Sequence, residues 1–157
     1  MNDTINIIIA GIGGQGVIKA SDILSEAAFK AGYDVKKSEI HGMSQRGGSV
    51  TSDVRFGKKV FSPTIPSGEA DFLLVLAADQ VENNRHLLKK SGRLITPEKL
   101  KDIKLSEPKS MNTALLGVLS SGLEIPEKFW EDAILKLLPG KLSQANIDAF
   151  KLGRYVK

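Results

Sequence analysis

A glycine-rich stretch that directly follows a short apolar run constrains the fold of this chain more than any other feature. Residues 4–10 read TINIIIA, and residues 10–20 read AGIGGQGVIKA. A short β-branched run of this kind is typical of a strand buried on both faces of a sheet. Apolar residues then recur every three or four positions up to Ala31, as on one face of a helix that Gly32 ends. The sequence therefore predicts a strand, a glycine turn and a helix in direct succession.

The glycine turn is a candidate binding site for an anion or a cofactor. Glycine lets the backbone approach a phosphate closely, and the free amides at a helix N-terminus offer it hydrogen-bond donors. A turn that only packs the helix tightly on the sheet is the structural alternative. The candidate anion- or cofactor-binding residues are Gly11, Gly13, Gly14, Gln15 and Gly16.

Glu39 keeps a dinucleotide-binding alternative open. The glycines have the spacing of the GxGxxG fingerprint, in which an acid roughly 20 residues further on holds the ribose hydroxyls. Glu39 lies 23 residues beyond Gly16, close to that position. One alternative function is therefore an NAD(P)-binding dehydrogenase domain, and another is a noncatalytic nucleotide-binding or scaffold module.

The rest of the pattern predicts further strands and helices. Residues 33–40 are expected to form a second strand, and residues 49–63 a β-hairpin around Gly57 and Lys58. The elements expected after the hairpin are a buried strand at 70–77, a helix at 79–92 that begins at Asp79 and ends at Gly92, a strand at 93–96, a short strand near 103–105, and three helices within 111–122, 126–140 and 142–153.

These elements predict one α/β domain over residues 1–157. The expected architecture is Rossmann-like: a mostly parallel sheet with helices on both faces and an inserted β-hairpin.

Composition narrows the possible partners and cofactors. A net charge of +4, from 22 basic and 18 acidic residues, is too small and too scattered for a nucleic-acid interface. The chain contains no cysteine, so it cannot ligate an iron–sulfur cluster through thiolates or form a disulfide. Neither a signal peptide nor a membrane span is indicated. We therefore expect a cytoplasmic protein that contacts neither nucleic acid nor membrane.

A second loop carries an unusual density of hydrogen-bonding side chains. It follows the second predicted strand, so it is expected at the same carboxyl edge of the sheet as the glycine turn. Arginine has a planar fork suited to phosphate or carboxylate, and Arg46 is therefore expected to face a ligand or a partner. The candidate partner- or ligand-contacting residues of this loop are His41, Gly42, Met43, Ser44, Gln45, Arg46, Gly47 and Gly48.

The two loops together carry a resemblance to a known family. GIGGQGV after the first strand and SEIHGMSQRGGSV (38–50) around the end of the second resemble the gamma domain of 2-oxoacid:ferredoxin (acceptor) oxidoreductases. Within this family, the segment HGMSQRGG (41–48) most resembles the small (beta) subunit of indolepyruvate ferredoxin oxidoreductase. GEADFLLVL (68–76) and MNTALLGVL (111–119) resemble later blocks of the family. The chain departs from the family where Ala77 and Ala78 replace a frequent acidic residue, and it is short after residue 110.

The resemblance implies a subunit that is inactive alone. Family enzymes oxidatively decarboxylate a 2-oxoacid to an acyl-CoA, using thiamine diphosphate, Mg and iron–sulfur clusters, and pass the electrons to ferredoxin. Those cofactors and CoA would be bound on or with large catalytic partner subunits, and the substrate would be an aryl pyruvate such as indolepyruvate. No residue of this chain is assigned a catalytic or metal-binding role. Asn112 is expected to anchor a loop first and to contact a ligand second.

Overall fold

A computed structural model describes residues 4–41 and 48–156 of the chain. It contains five strands and, besides short 3₁₀ turns, five helices in the described ranges. The strands are β1 (Ile5–Ile12), β2 (Asp34–His41), β3 (Ser49–Gly57), β4 (Ala70–Val75) and β5 (Leu88–Ile95). The helices are α1 (Val17–Lys30), α2 (Val81–Asn84), α3 (Met111–Ser120), α4 (Glu127–Leu137) and α5 (Ser143–Arg154).

The five strands form one mixed sheet in the order β2-β3-β1-β4-β5. β1 pairs with β4, and β4 with β5, in parallel. β3 lies antiparallel between β1 and β2. Four of the five strands therefore point the same way, and the predicted α/β class with an antiparallel insertion is confirmed.

The predicted partner of β3 was wrong. Residues 58–63 form no strand, and β3 pairs instead with β1 and β2 on its two sides. Residues 58–69, which we name the strap, contain two prolines and cannot supply a full ladder of amide donors. The strap amides of Val60 and Ile65 donate instead to the carboxylates of Asp34 (2.8 Å) and Asp53 (3.0 Å).

The two faces of the sheet are covered differently. Four helices, α1, α3, α4 and α5, pack on one face in the main hydrophobic core, where Trp130 and Phe150 are fully buried. The other face, with Ile8 and Leu73, is covered by the strap and by the short helical turns of residues 78–87. The prediction of helices on both faces therefore holds only in part, since the second face carries no long helix among the described residues.

The predicted helix at 79–92 was also wrong in its second half. Short turns occupy residues 78–80, 81–84 and 85–87, and β5 begins at Leu88. Gly92 does not end a helix but lies within β5, where a Cβ would come 2.9 Å from the Ala70 carbonyl oxygen. β5 therefore approaches β4 more closely than a side chain would allow. No strand forms at 103–105.

The helices α3 and α5 cross at backbone-to-backbone distance. A Cβ on Gly153 would lie 1.8 Å from the Ala114 carbonyl oxygen, and one on Gly117 would lie 2.1 Å from the Phe150 carbonyl oxygen. Because glycine has no side chain at these two positions, the backbones of α3 and α5 can pack directly against each other. In the described ranges, none of the helices has the length and apolar character needed to cross a membrane.

Candidate functional site

The glycine turn is shorter than the sequence suggested and is firmly held. Gly11 belongs to β1, which continues to Ile12, and the turn spans residues 13–16. The Ile12 amide donates to Gln15 Oε1 (2.6 Å), and the Gln15 amide donates to the Ile12 carbonyl (3.0 Å). The Gly13 amide donates to the Gly48 carbonyl (2.9 Å), next to the start of β3. The Gln15 side chain therefore braces the turn.

Asn112 braces the same turn from the other side. This second residue of α3 donates a hydrogen bond from Nδ2 to the Gln15 carbonyl. Gly16 has a φ of 89°, and a Cβ there would lie 2.8 Å from Asn112 Nδ2. The turn therefore requires glycine for two reasons, its left-handed backbone and the close approach of Asn112. The geometry gives Asn112 the anchoring role, and a ligand contact stays a prediction.

The N-terminus of α1 offers amide donors at the end of this turn. Its first intrahelical bond runs from the Ala20 amide to the Gly16 carbonyl (2.9 Å), so the amides of residues 17–19 precede the hydrogen-bonded ladder. Gly16 has no side chain to cap them, and the first turn contains no acidic residue. A cleft of about 450 Å³ lies beside these residues and is also lined by Val50. The positive end of the helix dipole thus faces an open space.

Charges near this cleft are arranged in pairs. Asp22 lines it and forms an ion pair with Lys37, which also contacts Glu39 (2.9 Å). Partial burial works to lower the pKa of Lys37, but the two carboxylates outweigh it and raise that pKa above 10.5. Lys19 lines the cleft as well, and its Nζ donates to the Leu137 carbonyl (3.3 Å). Because that carbonyl is neutral and Lys19 forms no ion pair among the described residues, the charge of Lys19 is available to a ligand anion.

Glu39 is badly placed for a ribose. It lies on β2, and β3 stands between β2 and β1. Neighbouring strands are about 4.8 Å apart, so Glu39 is roughly 10 Å from the strand that leads into the glycine turn. Its carboxylate is already paired with Lys37. The residue on which the NAD(P) alternative depended is therefore in the wrong place.

The second candidate loop lies outside the described residues at positions 42–47, and of His41 only the backbone is described. Its two ends are fixed. His41 pairs with Val50 across β2 and β3, and Val50 pairs with Gly11 across β3 and β1. The loop therefore leaves and re-enters the sheet at the edge that carries the glycine turn, as expected. The roles of Gly42, Met43, Ser44, Gln45, Arg46 and Gly47 stay predictions.

The structure also contains a buried carboxylate that the sequence analysis did not single out. Asp53 lies within β3, is 3% exposed and accepts the Ile65 amide of the strap. Burial raises the pKa of Asp53 above its ordinary 3.8, although the Ile65 amide and nearby Arg55 oppose that rise. An acid directly before the apolar Val54 and Phe56 of a predicted strand was the available signal. Within residues 4–41 and 48–156, no three histidine or acidic side chains are grouped so that they could hold a metal ion.

Comparison with known proteins decides the family. The family model for pyruvate ferredoxin/flavodoxin oxidoreductase matches residues 6–108, which include the glycine turn and all five strands. The chain belongs to this family. The match confirms the resemblance drawn from the two loops.

The individual relatives are subunits of oxidoreductases or of a 2-oxoacid synthase. The indolepyruvate oxidoreductase subunit IorB of Pyrococcus horikoshii is 48% identical over 93 residues, which are 58% of this chain and 45% of that protein. The chain thus matches less than half the length of that relative. The 2-oxoglutarate synthase subunit KorC of Archaeoglobus fulgidus is 28% identical over 95% of this chain and 86% of its own.

A solved structure shares the fold over the whole chain. The gamma subunit of a keto/oxoacid ferredoxin oxidoreductase from Geobacter sulfurreducens superposes with a TM-score of 0.79 at 22% identity. The superposition covers 99% of this chain and 97% of that one. The fold therefore includes α3, α4 and α5, which lie beyond the matched family model.

Proposed function

We propose that this chain is a non-autonomous subunit of a 2-oxoacid:ferredoxin oxidoreductase that converts a 2-oxoacid, CoA and oxidised ferredoxin to an acyl-CoA, CO₂ and reduced ferredoxin. The observation that carries the proposal is the 48% identity, over 93 residues, to an indolepyruvate oxidoreductase subunit. An aryl pyruvate such as indolepyruvate is therefore the proposed substrate class.

The redox cofactors do not fit this chain. It has no cysteine to ligate an iron–sulfur cluster. The described residues offer no grouped carboxylates for the magnesium ion of a thiamine diphosphate site. We therefore assign thiamine diphosphate, magnesium and the clusters to a large catalytic partner, and we assign no chemical step to a residue of this chain.

We assign an anion-binding role to the glycine turn. The amides of Val17, Ile18 and Lys19 and the Lys19 ammonium border the same cleft, and both kinds of group favour a phosphate. CoA carries such phosphates. Arg46 belongs to the loop anchored at the same edge of the sheet, and we propose that it pairs with a CoA phosphate or with an acidic group of the partner.

The test is reconstitution. The full chain is co-expressed with a large subunit that carries the thiamine diphosphate and iron–sulfur sites, and reduction of a viologen dye is followed with indolepyruvate, pyruvate or 2-oxoglutarate. We expect co-purification, CoA-dependent reduction that is fastest with indolepyruvate, and no turnover by this chain alone. Turnover by the isolated chain with thiamine diphosphate would contradict the subunit role, and preference for 2-oxoglutarate would contradict the substrate class.

Replacement of Arg46 tests the loop within the complex. A charge-assisted hydrogen bond contributes about 1.5–3 kcal/mol, so Arg46→Ala is expected to weaken CoA or partner binding by roughly 10- to 100-fold. Arg85→Ala is the matched control, because Arg85 is an exposed arginine outside that loop whose charge is already paired with Glu82. The melting temperature of the isolated chain should change little in either variant. A large fall in that temperature, with assembly and CoA binding intact, would make Arg46 a structural residue.

A further inference from the structure

A second cavity lies among the helices and shares Gly16 and Lys19 with the lining of the glycine-turn cleft. It has a volume of about 240 Å³ and is bounded by α1, α3 and α5 and by residues 107–110. The apolar surface that a ligand could contact comes from Leu138, which is half-buried, and Leu142, which is 38% exposed, while Ile23 and Leu116 lie behind them in the core. At about 30 Å³ for each water-sized group, the cavity has room for a ligand of roughly eight non-hydrogen atoms.

The cavity wall also contains a buried polar pair. Thr113 Oγ1 donates to Asn146 Oδ1 (2.8 Å), and Asn146 Nδ2 donates to the Leu142 carbonyl (2.9 Å). Both side chains line the cavity and are nearly fully buried. An amide nitrogen carries two hydrogens, and among the described residues Asn146 uses one. The second N–H is therefore available to a ligand acceptor.

The rim of the cavity is positively charged. Lys19 and Lys109 line it and are exposed, and Glu107 supplies one opposing charge. Among the ion pairs of the described residues, none involves any of these three side chains. The rim therefore carries one net positive charge, which matches a monoanion better than a dianionic phosphate.

We infer that this cavity binds a short-chain monocarboxylate, with the carboxylate held at the lysine rim and the hydrocarbon chain against Leu138 and Leu142. A six-carbon acid has the required eight non-hydrogen atoms. The Asn146 N–H is a donor for a carboxylate oxygen, which would satisfy the buried amide. The inference rests on this cavity alone and does not depend on the proposed oxidoreductase function.

The probe is hexanoate added to the full chain, with binding measured by calorimetry and by the shift in melting temperature. Hexan-1-ol supplies the hydrocarbon without the charge, and sulfate supplies the charge without the hydrocarbon. We expect millimolar or tighter binding of hexanoate, at least fivefold weaker binding of hexan-1-ol, and at least fivefold weaker binding of sulfate at this cavity, measured in the Lys19→Gln protein because Lys19 also lines the glycine-turn cleft. Lack of hexanoate binding, or equal binding of hexan-1-ol, would each overturn the inference.

Lysine variants locate the bound carboxylate. Lys109→Gln is expected to weaken hexanoate binding at least fivefold, because Lys109 lines this cavity and not the glycine-turn cleft. Lys104→Gln is the matched control, since Lys104 is exposed and does not line the cavity. Both changes are on the surface and should leave the fold intact. Equal affinity of the Lys109→Gln and Lys104→Gln proteins would overturn the inference.

Discussion

The contact between α3 and α5 predicts a large effect from a small substitution, Gly153→Ala. The new Cβ would lie 1.8 Å from the Ala114 carbonyl oxygen and 2.8 Å from the Ala114 carbonyl carbon, so the helices must separate by roughly 1 Å. Such a gap loses a quarter to a half of the dispersion energy of the contacts across it. Overpacking strain costs about 1–3 kcal/mol, and better helix propensity returns only about 1 kcal/mol.

We therefore expect Gly153→Ala to lower the free energy of unfolding by about 3 kcal/mol, since rigid backbone faces the new methyl group and lost packing adds to the strain. At about 2–4 °C for each kcal/mol, the melting temperature falls by roughly 9 °C. Trp130 is the only tryptophan, is fully buried and lies 5.3 Å from the Phe150 ring of α5. Its fluorescence during urea unfolding therefore reports on this part of the core.

Lys151→Ala is the control, because Lys151 is an exposed residue of the same helix and its contact with Glu131 is long, at 3.8 Å. That variant should stay within about 0.5 kcal/mol of the parent protein. Gly117→Ala probes the same crossing from α3 and should act in the same direction as Gly153→Ala. A Gly153→Ala protein as stable as the parent would refute the close crossing.

Two further predictions concern the strap and the glycine turn. In the Asp53→Asn variant, the side-chain oxygen of asparagine still accepts the hydrogen bond from the Ile65 backbone N–H, but the side chain does not titrate. Burial raises the pKa of Asp53 above 3.8 in the native protein. The native parent protein therefore takes up a proton on Asp53 at a higher pH than its unfolded chain does. As the pH falls from that raised pKa towards 3.8, the free energy of unfolding of the parent protein increases. The variant should therefore be the more stable protein in urea unfolding at pH 7, with the difference narrowing towards pH 4; a widening difference would contradict the burial argument. Asn112→Ala removes the bond to Gln15 and should cost about 1 kcal/mol, as should Asn84→Ala, which removes a comparable bond to Gln80. Sulfate should raise the melting temperature less in Asn112→Ala than in Asn84→Ala. An equal rise in the two variants would show that Asn112 does not support anion binding at the glycine turn.

The elements that the sequence predicts well are those determined by local pattern. The apolar run before Gly11 and the helical stripe of α1 each lie within one element, and the structure has both, together with the strand predicted at residues 33–40. The loop after β2 could be placed beside the glycine turn because strand direction alone decides which edge of the sheet a loop occupies.

The errors arose where pairing between distant segments decides the structure. Val81, Leu87 and Leu88 have a spacing that suits a helix, yet Leu88 begins an edge strand because β4 offers it a partner. Insertion of β3 between β1 and β2 pairs residues of β1 with residues of β3 that lie 37 to 51 positions further along the sequence, which no local periodicity reports. The same insertion moved Glu39 away from the glycine turn and left Asp53 under the strap.

The uneven covering of the sheet has a consequence for how the chain acquires its structure during synthesis. All five strands are complete by residue 95, but three of the four helices that cover the main core lie beyond residue 110. A nascent chain that has emerged only to that point therefore has a sheet with much of one apolar face open to water, and such surfaces attract chaperones and one another. Stable folding of this protein is therefore expected to wait for the last third of the chain, and pulse proteolysis of stalled nascent chains should find protection only after α5 has left the ribosome.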